Sequence, residues 1–380
     1  SRSRLSPKSM SADDPRFSDV LALLQSGVGS IYPAAGLLAR QGQATPLVAS
    51  VGAAEPTTWF DIASLTKALC TSVLCMRALA AGCLSLDEDV LPGVSVESLL
   101  RHESGLPPFL PLHAATPPPS RADIIAGARA APRQPVGQRA IYSDLGFILL
   151  AALLEQRLGQ RLDEAFHGLA DSLGLALAFR PLDRDEAAQR IPAARCAPTC
   201  RESEARERLQ GIVHDDNARA MLGVSGHAGL FGTLAGVADL SSALLDAYHG
   251  CDTPQAQALS IPATLVRAFF ALPDPRAGHA PGTTWGLGWD HPSPLPSDGS
   301  APTSPSSAGS LWPRHGVGHL GFTGCSLWMD PGETREQALI AVFLSNRVCV
   351  PTPAEAVATQ AGIKRLRPLL HDALYRALRG

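Results

Sequence analysis

Polar and apolar positions keep one rhythm near the two ends of the chain and another through its middle. Residues 14 to 27 place Phe17, Val20, Leu21, Leu23 and Leu24 on one side of an amphipathic helix. Ala34 to Gln43 and Pro46 to Gly52 read as two short strands joined by a Gly-containing turn. From Ala68 to Met76 the chain is almost uniformly apolar, which predicts a buried helix reaching about Ala81 with Gly82 just beyond its end. A short helix follows within 96–107, and residues 107–119, with six prolines, cannot form a regular element. Further helices are predicted at about 121–131, 145–158 and 234–245, separated by an arginine-rich surface interval at about 180–210. Strand-like patterning returns late: His319 to Gly332 reads as one strand and turn, Gln337 to Asn346 as its antiparallel neighbour, and a helix closes the chain at about 353–378.

Strands at both ends with helices between them predict an α+β fold. An antiparallel β-sheet is flanked by N- and C-terminal helices, with a large helical insertion. The expected division is a discontinuous sheet domain, 1–82 with 281–380, and a mainly helical domain, 83–280, with a site between them. Residues 291–310, rich in Pro, Ser and Gly, are expected to be a loop.

Composition narrows the function. The formal net charge is −3 with 18% charged residues, so no basic surface points to nucleic acid, and a small-molecule or peptide substrate is expected instead. No stretch of 18 apolar residues predicts a membrane span, and Ser1 to Lys8 has no apolar segment behind it to make a signal peptide. The lean is to the cytoplasm, or to the periplasm or exterior if a leader has been removed. Oligomeric state is not specified by the pattern. Eight cysteines in 380 residues are too sparse for a disulfide scaffold. Cys196 and Cys200, with His214 further on, lack a second close pair, so neither a metal nor another cofactor is assigned.

The candidate chemistry begins where an extended segment, Phe60-Asp61-Ile62-Ala63, turns into the apolar helix at Ser64-Leu65-Thr66-Lys67. Ser-x-x-Lys at a helix start puts a hydroxyl and an ammonium one turn apart on one face. The helix N-terminus adds free backbone N–H groups where an anionic tetrahedral intermediate would form. Tyr142-Ser143-Asp144 stands on a loop directly ahead of another buried helix, the kind of fixed loop on which catalytic side chains are common. His319-Leu320-Gly321 lies on the late strand. Two other clusters draw attention: Val213-His214-Asp215-Asp216-Asn217-Ala218, read as a turn with a lesser claim to substrate contact, and Gly226-His227-Ala228-Gly229. His102 is read as a histidine whose ring satisfies backbone groups at a helix end.

In that order and spacing the three islands resemble the serine β-lactamase and penicillin-binding-protein superfamily, and within it the class C branch with its D-amino-acid peptidases and family VIII esterases. Leu99 to Pro107, Gly226 to Phe231 and Gly318 to Gly324 support the resemblance, which spans about residues 15–370. It implies a β-lactamase/transpeptidase-like fold and acyl transfer through a covalent acyl-enzyme. Ser64 would be the nucleophile, Lys67 its partner, and Tyr142 the general base for acylation, which would also protonate the leaving group or activate the deacylating water. The Ser64 and Phe322 N–H groups would form the oxyanion hole, with Gly321 and Thr323 beside it, and His319 would replace the usual strand lysine. His214, Asn217 and His227 would be secondary contacts.

Two departures shape the expectation. Asp144 stands where many relatives have Asn; its charge would favour the Lys67 ammonium and oppose a tyrosinate, which favours proton relay between Lys67 and Tyr142. A histidine at 319 would make contact with a substrate carboxylate pH-dependent near 6.5. The pattern leaves three outcomes open: a hydrolase of β-lactams, esters or D-amino-acid peptides, a penicillin-binding sensor that stays acylated, or a general short-chain carboxylesterase.

Overall fold

The hairpin is present in the computed structural model, which describes residues 14–203, 205–274, 278–294 and 306–380. Its strands, Ala34–Gln41 and Leu47–Gly52, form one edge of a five-stranded antiparallel sheet. The remaining three come from the other end of the chain: Leu339–Ser345 pairs with Ala34–Gln41, then Ser326–Asp330, then Val317–Leu320 at the far edge. The register sets Ala35 opposite Ser345 and Gln41 opposite Leu339.

Both faces of this sheet are covered, which is why its central strands read as nearly continuous apolar runs. On one face Leu37, Trp328, Ala341 and Phe343 meet Phe17, Val20 and Leu24 of the helix Ser18–Ser26 and Ile363, Leu370 and Leu374 of the helix Pro353–Arg379. On the other face Leu38, Leu327, Ile340 and Val342 join a larger core with Leu69, Val73, Phe147 and Leu240. That second core gathers the helices Val73–Ala80, Asp144–Leu158 and Leu234–His249.

Two expectations change. The stretch 319–332 is not one strand: Val317–Leu320 and Ser326–Asp330 are a hairpin turning through Gly321 and Gly324. Gly324 has φ +100°, and a side chain at Gly321 would meet the Ile62 carbonyl at 2.6 Å, so glycine is required at both bends. A second, three-stranded sheet of Phe60–Asp61, Leu230–Gly232 and Leu177–Phe179 also appears. Its strands are two or three residues long, too short to leave a periodic pattern. Of the 291–310 loop, residues 295–305 lie outside the described residues, as does the segment 1–13. Among the described residues no helix is long and apolar enough to cross a membrane.

Candidate active site

The small sheet is what positions Ser64. Phe60–Asp61 pairs with Leu230–Gly232, and the chain then turns sharply, with Ala63 at φ +48°. The Asp61 carboxylate holds this turn, accepting from the Ala63 N–H at 2.9 Å and from the His214 N–H at 2.7 Å. Ser64 follows, partly exposed, and the helix behind it runs through a π-helical stretch, Lys67–Ser72, before becoming α-helical. Ser72 donates its hydroxyl to the Lys67 carbonyl at 2.8 Å within that stretch. Wider turns of this kind occur mostly as single turns inside α-helices, often at functional sites.

Lys67 is completely buried, and its ammonium makes three contacts. It donates to Ser64 Oγ at 3.0 Å, to Asp144 Oδ1 at 2.6 Å and to the His227 carbonyl at 3.1 Å. Burial opposes its charge, but the Asp144 and Tyr142 side chains outweigh burial, so its pKa is raised and it is an ammonium at neutral pH. Tyr142 is raised as well, by burial first; Lys67 and Ser64, which both interact with its hydroxyl, pull the other way. At rest the site therefore holds an ammonium and a neutral phenol. Asp144, the first residue of its helix, sits above the Ser143 N-cap, whose own hydroxyl donates to the Pro107 carbonyl at 2.7 Å.

Aromatic rings pack around Tyr142. His102 lies 4.6 Å from it, Trp285 5.3 Å and His319 5.9 Å between centroids. His102 Nδ1 accepts the Ser143 N–H at 3.0 Å, so this histidine fixes the Tyr-Ser-Asp loop. His319 is buried, and its Nδ1 bonds to the Leu320 carbonyl at 2.8 Å. Burial, helped by the Lys67 charge, pushes its pKa down to about 3. The expectation of a titration near 6.5 is therefore corrected: His319 is neutral across the physiological range and cannot hold a carboxylate by charge.

Ser64, Tyr142, Asp144, His214, His319, Gly321 and Phe322 all line one cavity of about 760 Å³, with Trp285 and Asp290 on its wall. Among the described residues, the Ser64 and Phe322 backbone N–H groups donate to no protein acceptor. Phe322 is half-exposed, with the His214 ring stacked at 5.7 Å and the Arg347 guanidinium 4.5 Å over its face. His214 Nε2 also stands 3.6 Å from the Glu202 carboxylate, and Glu202 is held down at about 2, chiefly through this histidine.

Three of the predicted residues support the cavity from behind it. Thr323 is buried and donates its hydroxyl to the Asp61 carbonyl at 2.8 Å, tying the late hairpin to the serine turn. His227 is buried between Asp215 Oδ1 at 2.9 Å and Ser225 Oγ at 2.8 Å, while its carbonyl receives Lys67. Asn217 is also buried; its Oδ1 accepts the His113 N–H at 2.9 Å and its Nδ2 donates to the Leu110 carbonyl at 2.9 Å. It anchors the proline-rich 107–119 segment and does not line the cavity. Asp144, Asp215 and His227 bring ligand atoms within 4.8 Å of one another, but the Lys67 ammonium already bonds to Asp144 and to the His227 backbone, which puts a fixed cation beside that cluster.

Several lining residues escaped the sequence reading. Trp285, Asp290 and Arg347 stand in separate segments, and Lys364 and Arg367 share the helix Pro353–Arg379, whose pattern does not mark them as lining a cavity. Only Trp285 carried a signal, in the run Trp285-Gly286-Leu287-Gly288-Trp289: a side chain at Gly288 would meet Ser72 Oγ at 1.9 Å, so this segment runs directly against the serine helix.

A family model described as Beta-lactamase matches residues 29–362. A protein of Escherichia coli K12, provisionally named a D-alanyl-D-alanine carboxypeptidase, is 28% identical over 322 residues, covering 76% of this chain and 69% of that protein. An N-acetylmuramyl-L-alanine amidase of Bacillus subtilis is 30% identical over 224 residues, half of each chain. Among solved structures, EstCE1, a hydrolase with promiscuous acyltransferase activity, superposes with a TM-score of 0.66 at 18% identity, over 95% of this chain and 98% of that one. A penicillin-binding protein from Bacillus halodurans superposes with a TM-score of 0.57 at 19% identity, over 87% and 96%. These structural likenesses show a common fold.

Proposed function

Because the chain belongs to the Beta-lactamase family, we propose that it is a serine hydrolase of the class C-like type, working through an acyl-enzyme on Ser64. The observation that carries this reading is the Ser64 hydroxyl, open to the cavity and receiving a 3.0 Å hydrogen bond from a buried Lys67. Ser64 Oγ attacks the acyl carbonyl, and the developing oxyanion takes the free N–H groups of Ser64 and Phe322.

With Lys67 held as an ammonium by Asp144 and Tyr142 held neutral, a standing tyrosinate does not fit the resting site. A relay does. Tyr142 accepts the Ser64 proton as it passes its own to the leaving group, and Lys67 stabilises the negative charge that builds between them. Water then enters by the same route in reverse. The D-alanyl-D-alanine carboxypeptidase name carried by the Escherichia coli relative favours an acyl group or leaving group drawn from a D-amino-acid peptide or ester.

The test is labelling by a fluorophosphonate, followed by intact mass and peptide mapping, alongside hydrolysis of short p-nitrophenyl esters. The wild-type protein gains one phosphonyl group on Ser64 and turns over at least one ester. Ser64→Ala loses both. Labelling or turnover retained by that variant would remove Ser64 from the reaction.

A further inference from the structure

All eight cysteines are free thiols, and two of them touch. Cys200 Sγ lies 3.9 Å from Cys349 Sγ, although the two are 149 positions apart in the sequence. Cys200 ends the short strand Thr199–Cys200, which pairs with Arg208–Leu209. Cys349 stands in the turn after Leu339–Ser345, its N–H on the Asn346 carbonyl at 2.8 Å. Cys200 is buried and Cys349 partly exposed, so a small oxidant reaches Cys349 first.

The two segments are clamped together around the sulfurs. Buried Arg206 donates Nη2 to the Val348 carbonyl at 2.7 Å and Nε to the Val350 carbonyl at 3.1 Å, gripping the backbone on either side of Cys349. Asn346 donates Nδ2 to the Pro198 carbonyl at 2.9 Å, and its Oδ1 accepts the Ala34 N–H at 2.9 Å, which ties the pair to the large sheet. Sulfurs held in this way meet at high effective concentration. Burial, then Cys200, hold the Cys349 thiol up at about 11 against the pull of Arg208 and Arg206, so its attack on an oxidant is slow at neutral pH and quickens as pH rises. The same two cations oppose a metal ion at the pair.

Both segments also reach the cavity. Glu202, two residues past Cys200, and Arg347, two before Cys349, line it, and the Arg347 guanidinium lies 4.5 Å over the Phe322 ring. Forming a disulfide brings the sulfurs about 2 Å closer, and the shift passes along the chain to the group packed on Phe322.

We propose that Cys200 and Cys349 are a redox-sensitive thiol pair whose closure to a disulfide shifts the cavity wall at Phe322 and slows turnover at Ser64. The slowing rests on the reading of Ser64 as nucleophile; the bond does not. The oxidant is a low-molecular-weight disulfide. The Cys349 thiolate attacks one of its sulfurs, forming a mixed disulfide and expelling one thiolate. The Cys200 thiolate then attacks Cys349 Sγ, forming the Cys200–Cys349 bond and expelling the second. The protein gives up two electrons and two protons, and the oxidant leaves as two thiols.

The experiment incubates the full chain with oxidised glutathione at about pH 8.5, digests it without reduction and maps the peptides by mass. In parallel, kcat/KM for p-nitrophenyl butyrate is measured before oxidation, after it, and after dithiothreitol. The wild type yields a linked Cys200–Cys349 peptide, loses about threefold to tenfold in kcat/KM, and regains it with dithiothreitol. Cys200→Ser stops at the first step and keeps a glutathionyl group on Cys349. Cys349→Ser, a change at a partly exposed thiol, gives neither the link nor the loss, whereas Cys83→Ser, at an exposed thiol outside the cavity, behaves as the wild type. Wild-type protein that carries glutathione on Cys349 without the link, or leaves both thiols unreacted once Cys83 is modified, overturns the pair. A mapped link with unchanged kcat/KM, or an equal loss in Cys349→Ser, overturns its hold on the site. Failure of the untreated wild type to hydrolyse any ester, together with failure of Ser64 to take the fluorophosphonate, overturns the serine reading instead.

Discussion

A single histidine shows how far burial can carry a side chain from its ordinary behaviour. His319 has one ring nitrogen on the Leu320 carbonyl, the other buried without a partner, and the Lys67 ammonium nearby. With its pKa near 3, the ring is neutral across the physiological range. The shape of the pH profile for ester hydrolysis is therefore expected to be the same in wild type and His319→Asn between about pH 5.5 and 7.5, whatever the change in absolute rate. A limb near 6.5 present only in the wild type would show that His319 takes up a proton. The residue type and position were legible in the sequence; its protonation state was not, because that depends on an ammonium that folding brings from more than two hundred residues away. Ser64, Lys67, Tyr142 and Asp144 were legible for the opposite reason. Each stands at a helix start, where local spacing and caps fix direction, and the two helix starts meet in the ion pair of Lys67 with Asp144.

At the level of elements, the long apolar helices and the terminal hairpin announced themselves, whereas the three-stranded sheet that sets the serine turn did not. Strands of two or three residues have no period to read. The proline-rich segment was rightly free of regular structure beyond one 3₁₀ turn at Leu112–Ala114, but the sequence could not show what holds it. Asn217 does, from inside the protein. Asn217→Ala would leave the His113 N–H unpaired and the Leu110 carbonyl with only the Leu112 N–H, so a loss of about 1–3 kcal/mol is expected in urea unfolding, with faster proteolytic cleavage within 107–119. A wild-type urea midpoint and cleavage rate in this variant would mean the segment is held by other contacts.

Across the whole molecule, several histidines are buried in their neutral form. His371 bridges Ser326 Oγ and the Ser307 carbonyl, both at 3.0 Å, and burial pushes its pKa down to about 3; His291 is pushed down to about 4 by the same cause. An unfolded chain binds protons at these positions near 6.5, so the stability they contribute is complete above that pH and is lost as pH falls towards 3 to 4. Asp290 acts in the other direction, since its carboxyl is held up at about 7 and its contribution is lost as pH rises through that value. His371→Asn is expected to flatten the acid side of the stability curve by up to about 1.4 kcal/mol per pH unit, measured as urea midpoints between about pH 6.5 and 4. An unchanged slope would mean that His371 is protonated in the folded state.

The order of strands in the large sheet sets a timetable for synthesis. Ala34–Gln41 lies between Leu47–Gly52, which follows at once, and Leu339–Ser345, which leaves the ribosome about 300 residues later. At roughly 5–20 residues per second, that is on the order of 15–60 s during which an apolar strand has one edge unpaired. The segments that carry Ser64, Lys67 and Tyr142 emerge during this wait, while His319 and Phe322 arrive only at its close. On the proposed mechanism the nascent chain would hold Ser64 without the Phe322 N–H, and the last part of translation both seals the sheet and brings His319 and Phe322 to the cavity.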